Sequence, residues 1–119
     1  MKIARKLAKY FTLTPGAEQR LADIALWTIE NFGQQQADHY IVSLIARCDA
    51  IIQGEAHLRT VASFSEGFPQ SELMLAKAES HFIVFADLGD ECVVFDFLHE
   101  RSDLSRQLQD LVRTFGPKS

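Results

Sequence analysis

The chain has few cysteines and no long apolar run. Its two cysteines, Cys48 and Cys92, lie far apart among 119 residues, and their spacing is not that of a zinc site. Because secreted domains of this size usually carry several cysteines in disulfides, reduced thiols in the cytosol are favoured. No run is long enough to span a membrane, and the basic opening MKIARKLAKYF is too short for a secretory signal and has no cleavage site. We therefore predict a cytoplasmic protein without membrane attachment.

Positive charge is also in the minority. Twelve Lys and Arg residues stand against 16 Asp and Glu residues, which gives a net charge of −4. Proteins that hold a nucleic acid backbone gain affinity from Lys and Arg, so this balance disfavours direct, sequence-specific nucleic acid binding by the chain alone. Glycine-rich phosphate loops, nucleophile elbows and zinc spacings are absent from the sequence. We predict no cofactor and no bound metal.

Length and apolar periodicity predict one domain over residues 1–119, with residues 1–9 as an N-terminal extension. YFTLT, at residues 10–14, is typical of a strand. Thr14 and Pro15 then form a helix start, and Gly33 is the expected helix end. A second apolar stripe runs over 37–52 and ends at Gly54. These two helices are expected to form an antiparallel pair.

The second half of the sequence predicts strands. Residues 54–70 lack a convincing period and predict a loop, followed by a strand from Glu72. Two further strands flank Gly89 and Asp90, which predicts a tight hairpin. A last helix is expected over 103–115. The predicted class is α+β: an N-terminal strand, an antiparallel helical hairpin packed on a small antiparallel sheet of three to four strands, and an extra C-terminal helix.

A regular hairpin register gives the two faces of this sheet different chemistry. Leu88 opposite Glu91 would place Phe82 opposite Phe97, on a wholly apolar face that should pack on the helices. The second face would carry four apolar side chains and one acid; they are Ile83, Phe85, Val94, Leu98 and Asp96. Because soluble monomers seldom expose such a patch, we predict that the C-terminal helix or a partner chain covers it.

The same register bears on the histidines. Two imidazoles can act as general base and general acid, which raises the hypothesis of a ribonuclease. A regular register places His81 opposite Leu98 and turns His99 to the other face, so the two rings should not converge. A structural role at the strand ends is the favoured interpretation. Cys48 lies in a helical stripe and is expected in the core.

Two segments resemble a known family. LTPGAEQRLADIALWTIENFGQQQADHYIVSL resembles the opening of ParE-type toxins, and HFIVFADLGDECVVFDFLHERSDL resembles their later pattern of His, IVF, a short turn and LH.R.D. The resemblance runs from about Phe11 to Leu104 in the expected order. It implies the RelE/ParE fold, and a bacterial type II toxin neutralised by a ParD-like antitoxin.

The resemblance also implies two alternative targets. ParE-like members inhibit DNA gyrase by binding, whereas RelE-like members cleave messenger RNA on the ribosome. The nuclease branch tends to carry an arginine and a tyrosine where this chain has Phe82 and Phe85, so we favour gyrase and a protein that is not an enzyme. The alternative is a ribosome-dependent endoribonuclease using His99, Arg101 and Lys77. A third possibility is a non-toxic module that only binds the antitoxin.

Candidate contact residues follow from the second face of the sheet. For the antitoxin we predict contacts with Ile83, Phe85, Val94, Asp96 and Leu98, and a charged rim of Arg101 and Arg106. For the target we predict contacts with the loop from Phe64 to Phe68 and with the C-terminal helix. The chain departs from the family in having Asp96 where an arginine is usual, and in the loop GEAHLRTVASFSEGFP.

Overall fold

A computed structural model of the protein describes residues 9–56, 58–60 and 73–115. Eight elements follow one another along the chain: β1 (Tyr10–Leu13), α1 (Pro15–Phe32), α2 (Gln34–Ile52), β2 (Leu58–Thr60), β3 (Met74–Ala78), β4 (His81–Asp87), β5 (Glu91–His99) and α3 (Leu104–Phe115). The predicted α+β class is confirmed, with its N-terminal strand, helical hairpin and C-terminal helix.

The boundaries of α1 follow from local chemistry. The Thr14 hydroxyl accepts a hydrogen bond from the backbone N–H of Ala17 (3.1 Å), and Pro15 occupies the first turn, where a missing N–H costs nothing. Gly33 ends the helix with φ +96°, a backbone conformation that side chains with a Cβ rarely adopt. Because α2 begins at the next residue, the two helices fold back on each other as a hairpin.

The sheet has five strands in the order β1-β5-β4-β3-β2. β1 runs parallel to β5, and the other neighbours are antiparallel. Strands β2 to β5 form the predicted small antiparallel sheet, and the N-terminal strand β1 adds a fifth strand that runs parallel to β5. The N-terminal strand joins the sheet through the long crossover that parallel pairing requires. In addition, Leu58–Thr60 forms a short strand inside the segment that was predicted as a loop.

The hairpin of β4 and β5 contains a β-bulge. Up to Phe85, which lies opposite Val94, the pairs follow the predicted register. Between Val84 and Phe85 the register shifts by one, so that Val84 lies opposite Asp96 and Phe95 is the inserted residue. Phe97 therefore lies opposite Ile83 and Leu98 opposite Phe82, whereas the regular register paired Phe97 with Phe82.

The shift sorts the side chains into two apolar clusters, one on each face of the sheet. Ile83, Phe85, Val94 and Phe97 pack under the helical hairpin, where each is at most 1% exposed. Phe82, Val84, Ala86 and Leu98 pack on the other face, under α3. Leu108 of α3 is fully buried among them, and Leu104, Leu111 and Val112 flank it.

This arrangement corrects the predicted antitoxin surface. The side chains of Ile83, Phe85, Val94 and Leu98 were expected to form one open face, but they belong to two cores that the protein's own helices cover. The expected packing of Phe82 on the helical pair was also wrong, because this face of β4 packs under α3. The alternation of apolar residues was right, but the bulge changed which of them share a face.

Candidate binding groove

A groove of about 620 Å³ opens where one face of α1 passes the ends of β4 and β5. Its walls come from both helices of the hairpin, the β3–β4 turn, the end of β5 and the start of α3. The lining residues are Arg20, Asp23, Ile24, Trp27, Thr28, Phe32, Gln36, Tyr40, Ser80, His81, Phe97, His99, Ser102 and Gln107. On α1 they recur at three- and four-residue steps, which is the spacing of one helical face.

Two aromatic side chains on this face are open to solvent. Trp27 is 58% exposed and Phe32 is 64% exposed, and their rings meet edge to face with centroids 5.8 Å apart. Phe32 belongs to neither of the two buried clusters. An exposed aromatic pair beside a groove is a common feature of protein-binding surfaces.

The bulge also brings His81 and His99 together in the groove. They lie directly opposite each other across β4 and β5, with ring centroids 5.1 Å apart and planes at 88°. The prediction that the two rings would point to opposite faces was therefore wrong. Two imidazoles this close could form an acid–base pair only if their ring nitrogens were available.

The hydrogen bonds of the pair occupy Nδ1 of both rings. The backbone N–H of Ser80 donates to the Tyr40 hydroxyl (3.0 Å), and that hydroxyl shares a 2.7 Å hydrogen bond with Nδ1 of His81. Nδ1 of His99 accepts from the backbone N–H of Arg101 (3.0 Å), so the remaining nitrogen of this ring carries the proton. His99 can donate a hydrogen bond in the groove, but it presents no free nitrogen to act as a general base.

Burial dominates the electrostatics of His81. The side chain is 8% exposed, and its burial, followed by the nearby His99 and Arg20, lowers its pKa from 6.5 to about 4. Burial also raises the pKa of Tyr40. Both groups are consequently neutral at pH 7. They form a rigid polar floor between α2 and the sheet.

Asp96 is satisfied within the protein. Its Oδ1 accepts from Nε of Arg20 (2.9 Å) and from the backbone N–H of Phe97 (2.8 Å), and Nη2 of Arg20 lies 3.4 Å from Oδ2. The hydrogen bond to Asp96 raises the pKa of Arg20. The predicted role of Asp96 as a free acid on a docking face was wrong, because this carboxylate fixes α1 to β5.

The alternative nuclease set does not assemble. Lys77 lies opposite Phe82, on the face covered by α3, whereas His99 faces the groove on the other side. The Lys77 ammonium is 2.6 Å from the Glu100 carboxylate, and this hydrogen bond lowers the pKa of Glu100. His99 and Lys77 therefore cannot act on one phosphate.

The remaining predicted contact residues fall into two groups. Arg101 is exposed, and the side chain of Arg106 is 73% exposed at the start of α3, beside Asp103. Both can reach a partner. Phe64 and Phe68 lie outside the described residues.

Sequence reasoning missed the residues that define the groove. No motif in the sequence singles out Trp27 or Asp23. Their spacing of four residues was visible as a possible shared helical face, but it gave no indication of whether the sheet extends beneath them. Within residues 9–56, 58–60 and 73–115, no cluster of His, Cys, Asp or Glu could hold a metal. No described helix has the length and apolarity needed to cross a bilayer.

A helical hairpin on a small mixed sheet, with an aromatic groove along one helix, defines a small α+β protein with a candidate binding groove. A solved structure described as the chromosomal ParDE TA system from P. aeruginosa has the same fold. The TM-score is 0.56 at 14% identity, over 77% of this chain and 96% of that one.

Sequence comparison gives the family. The chain is 31% identical to Toxin ParE of Escherichia coli over 104 residues, which are 87% of this chain and 96% of the relative. The family of ParE toxins of type II toxin–antitoxin systems, parDE, matches residues 11–104. The chain therefore belongs to the ParE toxin family.

Proposed function

We propose that this toxin acts in the cytoplasm by binding DNA gyrase and inhibiting it, and that a ParD-like antitoxin neutralises it. The resemblance to ParE-type toxins supports a protein target. The hydrogen bonding of His99 and its separation from Lys77 are what favour a protein target over an RNA substrate. His99 has Nδ1 occupied by a backbone N–H, and Lys77 lies on the far face of the sheet. A general base must lie within hydrogen-bond reach of the proton that it removes, and the ring of His99 offers no free acceptor nitrogen for this role.

Two core residues give further support. The nuclease branch tends to place an arginine and a tyrosine where this chain has Phe82 and Phe85. Here both side chains are buried, at 7% and 1% exposure. Neither side chain can donate a proton or stabilise a phosphate. The two residues therefore favour a toxin that binds a protein target over one that cleaves RNA.

The proposal is tested by adding the purified toxin to gyrase and relaxed plasmid, and separately to ribosomes that carry a defined message. We expect supercoiling to fail and the message to remain intact, and the His99→Ala variant to inhibit gyrase as well as the parent does. Addition of the antitoxin should restore supercoiling.

A different result would select one of the alternatives. Message cleavage that disappears in His99→Ala, with supercoiling unaffected, would establish the endoribonuclease and contradict the proposal. Growth that continues normally during expression of the toxin alone would instead indicate a non-toxic module that only binds the antitoxin.

A further inference from the structure

The groove combines an acid and an indole on one helical turn. Asp23 and Trp27 are four residues apart on α1, so their side chains are neighbours on the helix surface, and both line the groove. Oδ1 of Asp23 accepts a hydrogen bond from Nε2 of Gln19 (3.0 Å). Since a carboxylate offers about four acceptor positions, it can still receive a cation from a partner.

The other ionisable groups of the groove leave Asp23 as its net charge. The charge of Arg20 is offset by Asp96, with which it shares two hydrogen bonds. His81 is neutral at pH 7 because burial lowers its pKa to about 4. The groove therefore has a formal charge of −1, and it favours a positively charged visitor.

Apolar surface lies next to this acid. Ile24 and Phe97 form a buried floor, and the exposed ring of Phe32 lies further along the same face of α1. A cation alone would leave this surface wet. The complementary segment consequently has a basic side chain and, close by, an apolar one.

We infer that this groove receives a segment of the antitoxin in which an arginine or lysine lies over the Trp27 ring and pairs with Asp23, while a neighbouring apolar side chain covers the exposed ring of Phe32. The inference rests on the proposed neutralisation by an antitoxin and specifies the chemistry of the contact. Arginine fits better than lysine, because a planar guanidinium stacks on an indole and hydrogen-bonds a carboxylate at its edge.

Trp27 provides the readout, since the chain has one tryptophan. The probes are the full-length protein encoded by the reading frame beside the toxin gene, and overlapping synthetic peptides that tile it. We expect one peptide to change the Trp27 fluorescence. Replacing its basic residue with Glu should weaken binding about tenfold or more.

The matching variants are made in the toxin. Asp23→Asn should weaken the peptide about five- to tenfold, and Asp23→Lys about a hundredfold. Asp23→Lys should also bind the Glu-substituted peptide better than the parent peptide. Asp38→Lys is the control, because Asp38 is likewise exposed on a helix and bonded to a glutamine four residues before it (Gln34, 2.7 Å), but lies outside the groove. Thermal unfolding confirms that all variants fold.

The outcomes separate this inference from the proposed function. If the antitoxin binds and neutralises the toxin but Asp23→Lys behaves like Asp38→Lys, the groove assignment is wrong and neutralisation stands. Binding of a peptide without a basic residue, or binding that leaves Trp27 fluorescence unchanged, would likewise overturn the groove assignment alone. If the full-length protein does not bind at all, the proposed neutralisation fails, and the inference fails with it.

Discussion

Thr14 uses one hydroxyl group in two hydrogen bonds that join the helical hairpin to the sheet. The oxygen accepts from the backbone N–H of Ala17 at the start of α1, and the hydroxyl lies 3.3 Å from the carbonyl oxygen of Phe95 at the bulge. Bulged residues lose a regular ladder partner, so a carbonyl there gains from a side-chain donor. The same residue thus caps a helix and stabilises the bulge that sorts β5 between its two faces.

Replacing Thr14 with Val keeps the shape of the side chain but removes both hydrogen bonds. We expect the free energy of unfolding to fall by about 1–2 kcal/mol, the usual cost of losing an N-terminal helix cap. Thr14→Ser keeps the hydroxyl and should retain most of the stability. Urea denaturation of the two variants measures the difference, and equal losses would show that the hydroxyl contributes nothing.

His81 makes folding sensitive to pH. Burial disfavours the charged ring, so the pKa of His81 is about 4 in the folded protein. The ordinary pKa of 6.5 applies to the unfolded chain. Above 6.5 neither state binds the proton. As the pH falls from 6.5 to about 4, the unfolded chain takes up a proton that the folded chain does not, so stability decreases over that window.

We expect this loss to reach about 2–3 kcal/mol near pH 4, and to be smaller in His81→Gln, which cannot titrate. The exposed His39 supplies the control, since His39→Gln should keep the slope of the parent. Denaturation at several pH values measures the slopes. A His81→Gln slope equal to that of the parent between pH 6.5 and 4 would contradict the assigned burial of the neutral ring.

The sequence predicted which helices and strands form better than it predicted how the strands pair. Thr14, Pro15 and Gly33 fixed the ends of α1, and the turn at Gly89 and Asp90 was correctly placed, because these signals are local. The bulge carries no such signal. Residues 93–98 contain no glycine, and both alternations of apolar residues looked consistent with a buried face. A regular register would have placed Phe97 opposite Phe82, whereas the bulge places it opposite Ile83, under the helical hairpin.

The sequence could not decide whether α3 or a partner chain covers the sheet, because the strands need the same apolar residues in both cases. The structure places Leu108 fully buried against the face that carries Leu98. We expect Leu108→Ala to lower the free energy of unfolding by about 2–4 kcal/mol through lost burial and a cavity. Leu26→Ala is the matched control, because Leu26 is 56% exposed and should cost little. Equal effects on denaturation would mean that α3 does not cover the sheet.

Across the protein as a whole, helices cover both faces of the sheet in the part of the chain that the structure describes. The outer surface of the helical hairpin is exposed to solvent. The two buried clusters occupy the faces of the sheet, and Trp27 and Phe32 on α1 are the exposed aromatic side chains that line the groove. The sequence could not predict this, because which face is open depends on the bulge and on the covering helix together. Acidic net charge and an acid beside Trp27 then favour a partner segment of opposite charge.

Hydrogen exchange of the toxin, free and bound to its antitoxin, tests most directly whether recognition occurs on the helical side. We expect slower exchange on binding in the part of α1 from Arg20 to Phe32, and around His99 to Gln107, where the groove opens. The middle of β4 and β5 is already covered in the free protein and should show no added protection. Added protection confined to β4 and β5, with α1 unchanged, would contradict recognition through the groove.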